Sequence, residues 1–319
     1  MFKNDNERKI NFYTIVKFFV FLITIFFIIQ LFAGFVLQNN QAENPFFISP
    51  IARKIINNAV SFINSRDNSK NLEKIVLNRL GNNTDDFGIV IFNLNTGEKY
   101  YLNENKQFET ASLYKLWVMA SVYNQLDKGL IKKDDLLSGS LDEFNSQYST
   151  DSAQVRDISI PWSVEDALTN MITISDNYSA YLLIKKISLH SVTDFLAENG
   201  FDNSRLGYSV ANPLSTPKDI ALFFQRLYRS NLADKNSTNE MLDLLREQRV
   251  NTKLTFKLPQ NLIVAHKTGE LNKYSHDGGI IYSPKGDFII VVMSNTANPQ
   301  DANNKIAEIS LEVYNYFSR

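Results

Sequence analysis

Hydrophobic residues follow three different rhythms along this chain. The first is continuous: Phe18 to Leu37 is a run of 20 residues, apolar apart from Thr24 and Gln30. A helix of that length spans roughly 30 Å, about one bilayer core. Lys3, Arg8, Lys9 and Lys17 precede it, and no positive charge follows until Arg53. The positive-inside rule then places the amino terminus in the cytoplasm and the rest outside. The run exceeds the roughly 7–15 apolar residues of a cleaved signal peptide. Bulky Phe35 also follows Ala33-Gly34, so the segment reads as an uncleaved anchor.

The second rhythm is helical. Ile51, Ile55, Ile56, Val60 and Ile63, then Leu72, Ile75, Val76 and Leu80, recur at helix spacing. Arg66-Asp67-Asn68-Ser69 divides them into two helices, and Gly81-Asn82-Asn83 ends the second. The third rhythm is that of strands. Phe87–Leu94 is rich in Ile, Val and Phe, and Asn95-Thr96-Gly97 turns it into Glu98–Leu102. Leu262–Ala265, Gly279–Tyr282 and Phe288–Met293 repeat the pattern, with Pro284-Lys285-Gly286 between the last two. A helix over Ala302–Phe317 closes the chain, and helices dominate from Ala111 to Arg249. The pattern predicts an α/β fold of the α+β sandwich kind. One antiparallel sheet of about five strands is built from both ends of the domain, with an all-helical subdomain inserted. The expected divisions are a cytoplasmic tail over 1–17, an anchor over 18–37, a linker with amino-terminal helices over 38–85, and the main domain over 86–319.

Composition narrows the function. The net charge is −1, which gives no basic field for nucleic acid. There is no Cys, which removes disulfides, thiolate catalysis and Cys-based zinc sites. The three His, at 190, 266 and 276, have no helical pairing, so neither metal nor cofactor is expected.

Three short motifs carry the chemistry. In Ser112-Leu113-Tyr114-Lys115 a serine and a lysine sit about one helical turn apart. A hydroxyl is a weak nucleophile and needs a base, and a buried lysine held neutral is one. The nearly all-apolar Leu116–Val122 marks that helix as central, and Gly129 as its stop. Ser175-Asp176-Asn177 lies between helices that begin at Ser163, with a capping box to Asp166, and at Tyr178. Ser175 is placed to pass a proton to a leaving nitrogen, Asn177 to orient a substrate carbonyl, and Asp176 to brace the turn. Lys267-Thr268-Gly269 continues a strand, and presents a cation, a hydroxyl and room for close backbone approach. Each motif alone is weak. Ser215-Thr216-Pro217-Lys218 repeats the first and reads as a helix start, with Thr216 as N-cap and Pro217 at the first position. Ser237-Thr238-Asn239 repeats the second. Only the ordered set of three points to serine acyl transfer.

That set is the signature of class A β-lactamases and penicillin-binding proteins, and residues 86–318 resemble their catalytic domain. The resemblance implies a sheet flanked by terminal helices, an all-helical subdomain and an active site between them. It implies Ser112 as nucleophile, Lys115 as acylation base and Ser175 as proton relay. Asn177 would orient the substrate, and Lys267 with Thr268 would hold its carboxylate. The backbone N–H groups of Ser112 and Glu270 would form the oxyanion hole, Gly269 lying between. The implied partners are a β-lactam or a peptidoglycan stem peptide.

One departure concerns the second half of the reaction. Class A enzymes carry a deacylating Glu in an Ω-loop between the second and third motifs. Arg205–Pro213, the corresponding stretch, has no acid, and Glu198 lies earlier as the tail of a helix. Glu270 is a second departure. By strand alternation it shares a face with Thr268, where it opposes a substrate carboxylate unless Lys273 neutralises it. The sequence therefore points to a membrane-anchored extracytoplasmic serine hydrolase, acylated at Ser112 by β-lactams or D-Ala-D-Ala-type peptides. The alternative is a covalent sensor or trap for β-lactams or cell-wall fragments, with little turnover.

Overall fold

The computed structural model describes residues 69–140, 144–145, 162–206 and 213–319. The expected tail, anchor, linker and helix over 51–63 lie outside these residues, as does most of the stretch from Arg205 to Pro213. Among the described residues no helix is long and apolar enough to cross a membrane.

Helix α1 (Lys70–Leu80) is capped by Ser69, whose hydroxyl accepts from the Leu72 N–H. Strands β1 (Phe87–Asn93) and β2 (Lys99–Leu102) form the expected hairpin. After β3 (Phe108–Glu109) comes a single 3₁₀ turn, Ala111–Tyr114, which runs into α2 (Lys115–Asp127). The helical block continues, beyond the short strands β4 (Leu136–Leu137) and β5 (Trp162–Ser163), with α3 (Val164–Thr173), α4 (Asn177–Ile187) and α5 (Leu189–Glu198). Strand β6 (Leu214–Ser215) pairs with β3. Helices α6 (Pro217–Tyr228) and α7 (Lys235–Arg246) follow, then β7 (Val264–Leu271), β8 (Tyr274–Ile281), β9 (Phe288–Asn295) and α8 (Pro299–Phe317).

The main sheet has five antiparallel strands in the order β2-β1-β9-β8-β7. Both ends of the domain build it, as the sequence pattern predicts. Alternation along β9 sends successive side chains into two cores. Ile290 and Val292 meet α1 and α8 through Leu72, Val76, Ile306 and Val313. Ile289, Val291 and Met293 face α6 and the helical block. Helix α2 is the centre of that block, with every residue from Lys115 to Tyr123 buried. Each fully buried Leu, Val or Met there contributes about 1.5–3 kcal/mol relative to exposure.

The caps follow the sequence reading. Ser163 and Asp166 form the capping box of α3, and Thr216 caps α6 through the Asp219 N–H at 3.2 Å. Strand β7 runs on through Lys267-Thr268-Gly269 as expected, whereas β8 begins at Tyr274, well before its apolar run from Gly279. Each is eight residues long and includes a polar half, His266–Thr268 on one and Ser275–Asp277 on the other. These residues are buried, and several are satisfied by hydrogen bonds to one another or to nearby chain. That removes the apolar alternation by which a strand is recognised.

Candidate active site

The serine of the first motif sits on a constrained turn. Ala111 has φ 45°, in the left-handed region, and Ser112 follows it in the 3₁₀ turn rather than in α2 itself. With three residues per 3₁₀ turn, positions 112 and 115 lie one above the other. Two contacts hold the turn. Buried His276 on β8 donates from Nε2 to the Glu109 carbonyl at 2.7 Å, while its Nδ1 accepts from the Ser294 N–H at 3.0 Å. The two partners fix one neutral tautomer, and burial lowers the imidazole pKa to about 4. Gly269 on β7 lies against the same turn. A Cβ there would stand 2.8 Å from the Thr110 carbonyl oxygen and 3.3 Å from Ala111 Cβ. The close approach that this glycine permits is therefore first of all that of its own chain.

Lys115 begins α2 and is fully buried. Its Nζ lies 2.5 Å from the Ser175 carbonyl oxygen, 2.7 Å from Asn177 Oδ1 and 3.3 Å from Ser175 Oγ. Burial, and then the charge of Lys267, hold its pKa well below the usual lysine value, with Asp176 opposing. In the neutral form the two closer acceptors engage both N–H groups and leave the nitrogen lone pair to take a proton.

The second motif is shaped around the same lysine. Ser175 has φ 59°, an uncommon conformation for a non-glycine residue, and such conformations cluster at functional sites. Asp176 braces the turn as expected: it is the N-cap of α4, and its Oδ2 accepts from the Ser179 N–H at 2.8 Å and the Ser179 hydroxyl at 2.5 Å. Asn177 is the first residue of α4, and its amide oxygen is directed at Lys115.

The third motif lies on β7, an edge strand of the main sheet. Lys267 Nζ donates to Ser175 Oγ and to the Thr268 carbonyl, each at 2.9 Å. Burial is the chief cause lowering its pKa to about 7. Asp277 and Glu270 oppose the shift and Lys253 reinforces it. Thr268 is buried beside it. Ser175 thus joins two lysines from different parts of the chain, Lys115 and Lys267. Among the described residues no group of three or more His, Asp or Glu is arranged to hold a metal ion.

Glu270 is neutralised by a different residue from the one expected. Its carboxylate meets fully buried Lys253 at 2.5 Å. Lys273 instead lies over the Tyr274 ring. Sequence reading missed Lys253, which stands in the irregular segment before β7. That segment is fastened by Asp277, whose carboxylate accepts from the Leu254 N–H at 3.0 Å and lies 3.0 Å from His266 Nδ1. His266 Nε2 in turn lies 3.1 Å from Asn251 Oδ1. The repeated motifs serve as helix starts: Ser215 hydrogen-bonds Ser204, and Ser237 sits in the first turn of α7.

Comparison with known proteins bears on the family and the fold. The family model described as "Beta-lactamase enzyme family" matches residues 69–317. Beta-lactamase VEB-1 from Pseudomonas aeruginosa is 25% identical over 291 residues, covering 81% of this chain and 94% of its own. The solved structure of PBP-A superposes with a TM-score of 0.71 at 21% identity, covering 79% of this chain and 97% of that one. The acyl-enzyme complex of a PBP-A mutant with penicillin G superposes with the same score, identity and coverage. On the family match over most of its length, the chain belongs to the beta-lactamase enzyme family.

Proposed function

We propose that this protein is a serine hydrolase acylated at Ser112 by β-lactams or by D-Ala-D-Ala-type cell-wall peptides. Lys115 carries the reading: a lysine with no exposure, its pKa pushed well below the ordinary lysine value by burial and by a second lysine, three residues after the serine. Neutral Lys115 takes the Ser112 proton as Oγ attacks the carbonyl carbon. The backbone N–H groups of Ser112 and Glu270 receive the developing oxyanion. The C–N bond then breaks, Ser175 gives its proton to the leaving nitrogen, and the Lys115 ammonium reprotonates Ser175. Asn177 orients the substrate, and Lys267 with Thr268 holds its carboxylate. Covalent capture of penicillin G by a mutant of PBP-A, a structural neighbour, supports β-lactams as acyl donors.

Release is the slower half in this reading. The sequence from Arg205 to Pro213 holds no acid to activate water, so a long-lived acyl-enzyme follows. This favours peptidase or sensor-like behaviour over rapid β-lactam turnover. The apolar run 18–37, with basic residues before it, supports a single-pass anchor that places the domain outside the cytoplasm. A fluorescent penicillin is expected to label Ser112 and to stay attached for hours. Loss of label within seconds would establish an efficient deacylation route and refute the slow-release reading.

A further inference from the structure

Lys253 and Glu270 form an unequal pair. The ammonium is completely buried, while the Glu270 side chain is 56% exposed. Glu270 is the only side-chain acceptor of Lys253 among the described residues. A buried cation needs a counterion, and removing one partner of such a pair is strongly unfavourable. Here the counterion comes from the solvent side, where it is open to exchange.

The location gives that exchange a consequence. Lys267, Thr268, Gly269 and Glu270 are consecutive on β7. Residues two apart on a strand share a face and lie roughly 7 Å from one another. A carboxylate held by Lys267 and Thr268 therefore lies beside Glu270. The charges also interact, since both Lys253 and Glu270 act on Lys267.

We propose that Glu270 is a specificity-determining residue: a built-in carboxylate that occupies Lys253 and opposes the binding of anionic substrates. An incoming carboxylate has to displace it from Lys253. An uncharged substrate of the same shape meets no such obstacle. This rests on the acyl-transfer reading for its substrate class, but it concerns binding that precedes chemistry.

The test uses the full-length chain carrying Ser112→Ala, which blocks acylation. Benzylpenicillin and its methyl ester are titrated calorimetrically, with and without Glu270→Gln. The expected result is about tenfold tighter binding of the acid in the Glu270→Gln protein, with ester affinity unchanged. Adding Lys253→Met removes the gain, and removing the pair together leaves no unpaired buried charge. Glu270→Ser repeats the measurement in a second background should glutamine disturb the fold. An acid-to-ester ratio unaltered by either Glu270 substitution overturns the proposal, as does a gain that survives Lys253→Met or failure of the acid to bind any of the proteins. Penicillin labelling of the parent chain separates the two readings. An unlabelled Ser112 together with a charge-dependent ratio removes the acyl chemistry and leaves the filter standing.

Discussion

A lysine is a useful base at neutral pH only where its charge is suppressed, and the site suppresses it twice. Lys115 is enclosed at the start of the most buried helix, and Lys267 presents a second positive charge to it across Ser175. Lys115→Met keeps most of the packing volume and removes the lone pair. It is expected to lower the acylation rate by about 10²–10⁴-fold, measured as the rate of penicillin labelling, with the far-ultraviolet spectrum unchanged. Labelling at the parental rate would assign the base elsewhere. At this scale the sequence was legible where chemistry is local. Ser112 and Lys115 lie within one turn, Asp176 caps the helix it precedes, and Lys267 and Thr268 are adjacent. Lys253 was not legible. It meets Glu270 across 17 positions, and nothing near it in sequence distinguishes it from a solvated surface lysine.

Individual elements matter here through the junction of β7 with the turn that carries Ser112. Gly269 is what lets the two approach, because a side chain there meets the Thr110 carbonyl oxygen and the Ala111 methyl. Gly269→Ala is expected to push β7 from the turn, slow acylation and destabilise the fold by about 1–3 kcal/mol in denaturant titration. An alanine variant with parental stability and labelling rate would show that the junction tolerates separation. The helices were readable from caps and periodicity: Ser163 with Asp166, Thr216 with Pro217, and Gly129 just beyond α2. Strand β7 was readable through Lys267-Thr268-Gly269, but β8 only in its apolar half. Their polar halves are buried because His266, Asp277, Lys267 and His276 find partners across the sheet or on the adjoining turn and segment. Alternation of apolar residues cannot reveal that kind of burial.

For the whole molecule, buried basic groups tie stability to pH. Lys267 has a pKa of about 7 when folded, against 10.5 as the ordinary value, and Lys115 is shifted the same way. Between these limits the unfolded chain binds protons that the folded chain does not, so stability rises with pH. His276, at about 4 against 6.5, acts with the same sign at lower pH. The thermal midpoint is therefore expected to fall as pH drops from 6.5 towards 4 and to climb from pH 7 towards 9. A midpoint that declines between pH 7 and 9 would contradict buried lysines whose pKa is lowered on folding. The architecture was largely legible at this scale, since both ends of the domain read as strands around a helical block. The order β2-β1-β9-β8-β7 was not, because pairing between distant strands leaves no local trace.

All of this converges on one hydroxyl. The full-length protein, incubated with a fluorescent penicillin and digested, is expected to carry the drug's mass on the peptide containing Ser112, and Ser112→Ala to carry none. Equal labelling of the Ser112→Ala protein, or a label on any other residue, would contradict the assignment of Ser112 as the nucleophile.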